Sequence, residues 1–89
     1  MNTYTTEFFQ QCPNNGVRVK YHLKIEADKV IPVEDILSAV EIVEIDSPKF
    51  HEQYADEFAA RFPGTQTLTA HHHGVDIKTV RQGADKEDQ

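Results

Sequence analysis

The chain has 89 residues, 38% of them hydrophobic and none of them Trp, which is enough for one domain with a modest core. Nine Lys and Arg against fifteen Asp and Glu give a net charge of -6, which disfavours general binding to a nucleic-acid backbone. The sequence has no signal-peptide pattern and no run of eighteen apolar residues, so we expect a cytoplasmic protein that does not contact a membrane. We expect one domain over residues 1–83 and a disordered charged tail over residues 84–89.

The first predicted element is a hairpin of two strands. Residues 17–26, VRVKYHLKIE, alternate apolar and polar side chains without a break, which is typical of a strand with one buried face. Residues 3–11, TYTTEFFQQ, are rich in Thr and aromatic side chains, which favour strands. The sequence PNNG between them supplies the Pro, Asn and Gly of a tight reversal. The pattern places Arg18, Lys20 and Lys24 together on the polar face.

A short amphipathic helix is predicted next. Pro32 suits a first helical position, and acidic and polar residues lie opposite an apolar stripe. The stripe consists of Val33, Ile36, Leu37 and Val40. The β-branched segment VEIVEI, residues 40–45, would suit either a helix or a strand, so the C-terminal end of this element stays open.

A second helix is predicted between two prolines. Ser47 followed by Pro48 is a start signal, and Pro63 with Gly64 is a stop signal. Aromatic residues recur every four positions between these signals, at Phe50, Tyr54, Phe58 and Phe62. This spacing predicts that the aromatic side chains share one face of the helix.

Two short strand-like segments complete the pattern. Residues 65–70, TQTLTA, and 74–80, GVDIKTV, are joined through HHHG, which predicts a second hairpin. The order ββααββ indicates an α+β fold with an antiparallel four-stranded sheet and two helices on one face. Such a sheet keeps one face and its edge strands uncovered, so we expect a homo-oligomer.

Cys12 is the single cysteine and has two interpretations. As a free thiol it cannot form a disulfide within the chain, and free Cys is among the most frequently buried residue types. It also lies at a junction of strand and turn, where a thiol can be reached and backbone N–H groups can stabilise a thiolate. Taken alone, Cys12 is therefore either a small core residue or a nucleophile.

Histidines supply the other candidates. His51 and Glu52 adjoin at the start of the second predicted helix, where both could reach one ligand, although the helix dipole favours Glu there without any function. His71, His72 and His73 form a triplet, but neighbouring residues of a strand alternate between faces, so at most two could converge on a metal. We therefore predict turn histidines and no metal site. Glycine-rich phosphate loops are absent from the sequence.

Taken together, these segments resemble the 7-cyano-7-deazaguanine reductase family. These nitrile reductases of queuosine biosynthesis are members of the tunnelling-fold (T-fold) superfamily. The resemblance rests on EFxxxCPxxG at residues 7–16, on Val33-Glu34, on Phe50-His51-Glu52 and on HHGVDI at residues 72–77. The spacing between these motifs is also similar to that of the family, and the ββααββ order is that of a T-fold domain.

The resemblance implies a set of roles. Cys12 would add to the nitrile of 7-cyano-7-deazaguanine, or of a related purine-like ring, to give a covalent thioimide, which NADPH reduces by two hydride transfers in that family. Glu52 would bind the N–H edge of the ring, Phe50 would belong to the same substrate-binding motif, and His51 would lie near the reacting carbon and donate protons. Glu34 corresponds to a family glutamate. Because T-fold sites lie between subunits, either Glu34 or a histidine from residues 71–73 would reach in from a neighbouring subunit.

Two departures from the family pattern keep alternatives open. After Glu34 the chain continues with Asp35-Ile36-Leu37, so the lysine and serines that lie near NADPH in the family are missing, and an acidic residue expected soon after Gly16 is missing too. Use of NADPH is therefore doubtful. A related archaeal amidinotransferase keeps the thioimide and adds ammonia to a nitrile carried on tRNA, although the net charge of -6 disfavours tRNA. A different alternative is a small acidic interaction protein without catalysis, such as a phage-encoded inhibitor, supported by the acid-rich segment 34–46.

Overall fold

A computed structural model describes residues 1–83, and the predicted ββααββ order is confirmed. The elements are strands β1 (Asn2–Gln11) and β2 (Arg18–Ala27), helices α1 (Val33–Ile45) and α2 (His51–Arg61), and strands β3 (Thr65–His72) and β4 (Val75–Gln82). The strands form one antiparallel sheet in the order β1-β2-β3-β4. The predicted charged tail, residues 84–89, lies outside the described residues.

The register of the sheet sends alternate side chains of each strand to one covered face. Phe8 pairs with Tyr21, and Tyr21 pairs with Ala70, so the three side chains lie on the same side of the sheet. Leu23 pairs with Leu68 in the same way. All five residues are buried. The uninterrupted alternation in β2 therefore identified the covered face correctly.

Both helices pack on this covered face, α1 against β1 and α2 against β3 and β4. The core beneath them is aromatic. The Phe8 ring stacks on Tyr21 with centroids 5.0 Å apart and meets the rings of Tyr54 and Phe58 at 6.1 and 5.7 Å. Large aromatic side chains bury much apolar surface each, which suits a chain of this size. The helical spacing of Tyr54 and Phe58 thus describes a core face.

The predicted stripe of α1 is wrong in part. Val33 and Leu37 are 57% and 49% exposed, and the buried residues are Ile36, Ala39, Val40 and Val43. The segment 40–45 continues as helix. Its end is held by Gln10 of β1, whose Nε2 donates to the carbonyl oxygens of Val43 and Asp46 at 2.8 and 3.0 Å. This contact anchors the C-terminal end of the helix to β1, and of the predicted stripe only Ile36 and Val40 are buried.

The predicted start of α2 at Ser47-Pro48 is also wrong. The helix begins at His51, with Phe50 as the N-cap residue. The side-chain Oε1 of Gln53 accepts a hydrogen bond from the Phe50 N–H at 2.9 Å, and the Tyr54 hydroxyl accepts one from the Lys49 N–H at 2.7 Å. These two side chains from within the helix use the backbone donors that precede it, so the helix starts three residues after Pro48.

We call the other side of the sheet the open face, and it consists of the odd-numbered residues of β1 and β3 and the even-numbered residues of β2 and β4. It carries charged pairs such as Lys20 with Glu7, whose Nζ and Oε1 atoms lie 3.3 Å apart. Arg18 lies over the ring of Phe9, 4.2 Å from its centroid. In residues 1–83, no helix has the length and apolar character needed to cross a membrane.

Candidate functional site

A small cavity of about 90 Å³ lies at one end of the covered face. It is enclosed by the turn between β1 and β2, by the end of β3, and by the first residues of α2. Its lining includes Cys12, Tyr21, Phe50, His51, Glu52 and His72. A cavity of this volume has room for several water molecules or for part of a flat ligand.

The turn between β1 and β2 places Cys12 against this cavity. The Cys12 N–H donates to the carbonyl oxygen of Val17 at 2.8 Å, and the Gly16 N–H donates to the carbonyl oxygen of Cys12 at 2.9 Å. Gly16 has a φ of 73°, a conformation that glycine adopts without a steric penalty. The thiol is free, and Cys12 as a residue is only 6% exposed, so it belongs to the core; it also lines the cavity. A ligand could reach it through the cavity.

His51 is held at the first position of α2 with a defined hydrogen bond. Its ring Nε2–H donates to the carbonyl oxygen of Leu68 at 3.0 Å, which joins the helix to β3. Since that nitrogen carries the proton, the neutral ring has an unprotonated Nδ1, and this buried atom has no hydrogen-bond partner within residues 1–83. Burial lowers the pKa of His51, although the bond to Leu68 opposes this effect. His51 is therefore a neutral acceptor.

Glu52 and Phe50 lie at the rim of the cavity. Glu52 is exposed and occupies the first turn of α2, where the helix dipole favours a negative charge. Phe50 is 49% exposed. Lys49 also lines the cavity, but its Nζ forms an ion pair with the carboxylate of Glu57, and this hydrogen bond raises the pKa of Lys49. The carboxylate of Glu52 is thus the anionic group at the rim.

Tyr21 forms part of the wall that the sheet contributes. Its ring lies 5.6 Å from that of His51 and 5.3 Å from that of Tyr54, measured between centroids. Burial raises the pKa of Tyr21 to about 12, and Tyr54, Cys12 and Glu52 add to the effect in the same direction. The hydroxyl therefore stays protonated at neutral pH and is a weak proton donor.

The histidine triplet is divided by the turn between β3 and β4. His73 and Gly74 have φ values of 53° and 80°, the pair of positive angles that a two-residue type I′ turn requires. His71 lies on the open face, where its Nδ1 is 2.7 Å from a carboxylate oxygen of Asp76. His72 lies on the covered face and lines the cavity. The expected alternation is therefore confirmed, but the prediction of turn histidines is wrong for His71 and His72, which belong to β3, and holds only for His73.

The two turns at this end of the sheet contact each other through His73. The side-chain Nδ2 of Asn15 donates to His73 Nε2 at 2.6 Å. The His73 ring meets the His72 ring edge to face, with centroids 4.5 Å apart. The turn that carries Cys12 and the turn that carries His72 are thus held side by side.

Four of the five predicted site residues meet in this cavity: Cys12, Phe50, His51 and Glu52. Glu34 does not meet them. It is exposed in the first turn of α1 and does not line the cavity of its own chain. Within residues 1–83, no group of three or more His, Cys, Asp and Glu side chains is arranged to hold a metal ion.

Sequence reasoning missed Tyr21, and it expected a histidine from residues 71–73 to come from a neighbouring subunit, whereas His72 lines the cavity of its own chain. The information was present in both cases. The alternation of β2 placed Tyr21 on the covered face, and strand alternation sends one of His71 and His72 to that face. What the sequence did not reveal was that the end of the covered face is left unfilled at this point, because that depends on how α2 packs.

Comparison of the chain with protein-family models, with curated proteins and with solved structures returned no match.

Proposed function

We propose that the protein binds a flat, purine-like nitrile such as 7-cyano-7-deazaguanine in this cavity and forms a thioimide with it through Cys12. The main support is that Cys12 and Phe50-His51-Glu52, separated by almost forty residues in the sequence, line one cavity. A thiol, a neutral imidazole and an exposed carboxylate are suited to an electrophilic carbon on a ring with N–H groups.

Each group has a role that follows from its position. The carboxylate of Glu52 accepts two N–H bonds from the edge of the ring, a pairing stronger than that between neutral groups. His51 Nδ1 accepts the thiol proton as the Cys12 sulfur attacks, because its Nε2–H is held by Leu68. This differs from the donor role first expected for His51. The Phe50 ring provides an apolar surface at the rim.

The same thioimide could react with either of two second substrates. Hydride from NADPH would give a nitrile reductase, and ammonia would give an amidinotransferase acting on tRNA. The sequence Asp35-Ile36-Leu37 replaces the lysine and serines expected for NADPH. We therefore assign only thioimide formation to this chain. The experiment below tests NADPH and ammonia as alternative second substrates.

The experiment is intact mass spectrometry of the protein after incubation with 7-cyano-7-deazaguanine in the absence of NADPH. We expect an adduct of the mass of the ligand, absent from the Cys12→Ala variant. Addition of NADPH or of ammonia to the adduct then shows which of them releases the product. No adduct and no thermal shift at millimolar ligand would contradict the proposal.

A second candidate is a small acidic interaction protein, and the outer surface of α1 favours it. Val33, Leu37 and Ile45 are 57%, 49% and 83% exposed there. The first turn of the helix is acidic, and residues 33–46 contain no Lys or Arg. Such a surface fits a partner that is both basic and apolar. This function predicts that the nitrile gives neither adduct nor thermal shift, and that binding to its partner is lost in Leu37→Ser.

A further inference from the structure

His72 carries a buried polar atom that the fold does not use. Its ring Nε2 has no hydrogen-bond partner within the described part of the chain. A buried donor or acceptor without a partner destabilises a fold by about 1–3 kcal/mol, so such atoms are uncommon and call for an explanation. His72 lines the same cavity as Cys12, which suggests that a bound ligand supplies the missing partner.

The ring of His72 is held in place by its neighbours. The edge-to-face contact with His73, itself bound by Asn15, limits its movement. The type I′ turn fixes which face of the sheet the residue occupies. A side chain that is positioned by others while its own nitrogen is unused has the properties of a group prepared for a ligand.

Thioimide formation requires a proton at the nitrile nitrogen, and a donor other than His51 lets this transfer occur while His51 Nδ1 is taking the thiol proton. When sulfur adds to the nitrile carbon, one C–N π bond breaks and its electron pair moves to nitrogen, which must take up a proton. The Nε2–H of His51 already donates a hydrogen bond to the carbonyl oxygen of Leu68. Tyr21 holds its proton tightly, because burial raises its pKa to about 12. Lys49 lines the cavity, but its Nζ is already paired with the carboxylate of Glu57.

We propose that His72 is the general acid of this step and gives its Nε2 proton to the nitrile nitrogen as Cys12 attacks. The inference rests on the proposed function, because it assigns a further catalytic residue to the same reaction. His72 gives up this proton, and the thiol proton passes to His51 Nδ1. His51 then releases that proton to solvent, and His72 regains one from solvent. The net reaction adds the S–H bond across the C≡N bond, so atoms and charge balance.

The test compares His72→Gln with His71→Gln, two variants of adjacent residues on opposite faces of the sheet. Glutamine keeps hydrogen-bonding groups but cannot transfer a proton. We expect adduct formation to slow by about 10²-fold or more in His72→Gln, the size typical of general acid catalysis, and to change less than about threefold in His71→Gln. Binding of 7-deazaguanine, which has no nitrile, should be similar in both variants.

The two proposals fail in distinguishable ways. If the wild-type protein forms no adduct, the proposed function fails and this inference with it. If the wild type forms the adduct and His72→Gln forms it at the same rate, only the assignment of His72 is overturned. If His72→Gln does not fold, ¹⁵N spectra of histidine side chains in Cys12→Ala decide the question. A change at His72 Nε2 on addition of the nitrile, larger than at His71, supports the assignment, and no change overturns it.

Discussion

The covered and open faces of the sheet are built from the same strands but place their side chains in different environments. Consecutive residues show the contrast: Phe8 is fully buried among aromatic rings, whereas Phe9 is 38% exposed beneath a guanidinium group. His72 lines the cavity, and His71 forms an exposed pair with Asp76. Side chains of a strand alternate between the two faces, so two adjacent residues lie in the two different environments. Substituting both residues of such a pair therefore compares the two faces directly.

This contrast shows which face of the sheet contributes to stability and which contributes to the candidate site. The aromatic core lies on the covered face, and so do the nitrogens of His51, from the helix above it, and of His72 that have no partner among residues 1–83. The open face holds exposed charged pairs, which are weak because water and salt screen them. Substitutions of adjacent residues should therefore differ sharply in their effect on stability.

The largest difference is expected between Phe8→Ala and Phe9→Ala. Removing the Phe8 ring leaves a cavity in the core, so we expect a loss of about 3–5 kcal/mol in the free energy of unfolding. Phe9→Ala should lose less than about 1 kcal/mol, because its ring is partly exposed and contacts Arg18. Urea denaturation at pH 7 measures both. Phe8→Leu serves if Phe8→Ala is unfolded, and equal losses at the two positions would contradict the contrast.

Alkaline pH tests the covered face through Tyr21. Its pKa is about 12 in the folded protein and 10.0 in the unfolded chain, so the folded state holds the proton more strongly. The protonated hydroxyl therefore stabilises the folded state fully below pH 10, and this stabilisation is lost as the pH rises through 12. The total loss in the free energy of unfolding is about 2–3 kcal/mol. Urea denaturation from pH 9 to 12 should show a smaller decline in Tyr21→Phe than in the wild type. Identical declines would mean that the Tyr21 hydroxyl is solvated.

Gln10 and Gln11 form a second adjacent pair. Gln10 is buried, and its amide binds carbonyl oxygens at the end of α1, whereas Gln11 is exposed. Gln10→Ala leaves those carbonyls without a partner, so we expect a loss of about 1–2 kcal/mol in the free energy of unfolding. Gln11→Ala should change it by less than about 0.5 kcal/mol. Thermal denaturation of both variants measures the difference, and a loss in Gln11→Ala as large as that in Gln10→Ala would show that α1 is held elsewhere.

The strands and the order of elements could be predicted because local patterns determined them. The alternation of β2 and the PNNG turn contain the information for the first hairpin, and HHHG contains it for the second. The face of α1 could not be predicted from its own residues. It depends on tertiary contacts, and one of them comes from Gln10, a residue of β1 more than thirty positions away, whose side chain binds the carbonyls of Val43 and Asp46.

The candidate site shows the same limit. Motif order brought Cys12 and His51 forward as candidates, yet motifs give no information about protonation. The acceptor state of His51 follows from a hydrogen bond to Leu68, and the unused nitrogen of His72 follows from the way the turns meet. Glu34 is a different case. It was proposed to act from a neighbouring subunit, and in its own chain it lies on another part of the surface.

The smallest effect is expected for the ion pair between Lys20 and Glu7 on the open face. Their side chains are 56% and 52% exposed, so a double-mutant cycle with Lys20→Ala and Glu7→Ala should give a coupling of about 0.5 kcal/mol or less. In 1 M salt the coupling should fall further, because exposed charges are screened. A coupling well above 1 kcal/mol that resists salt would mean that water is excluded from this face in solution. The predicted homo-oligomer offers a means of exclusion, since a second subunit on the open face would bury the pair. Repeating the cycle at several protein concentrations separates these cases, because a coupling within one chain does not depend on concentration and one created by association does.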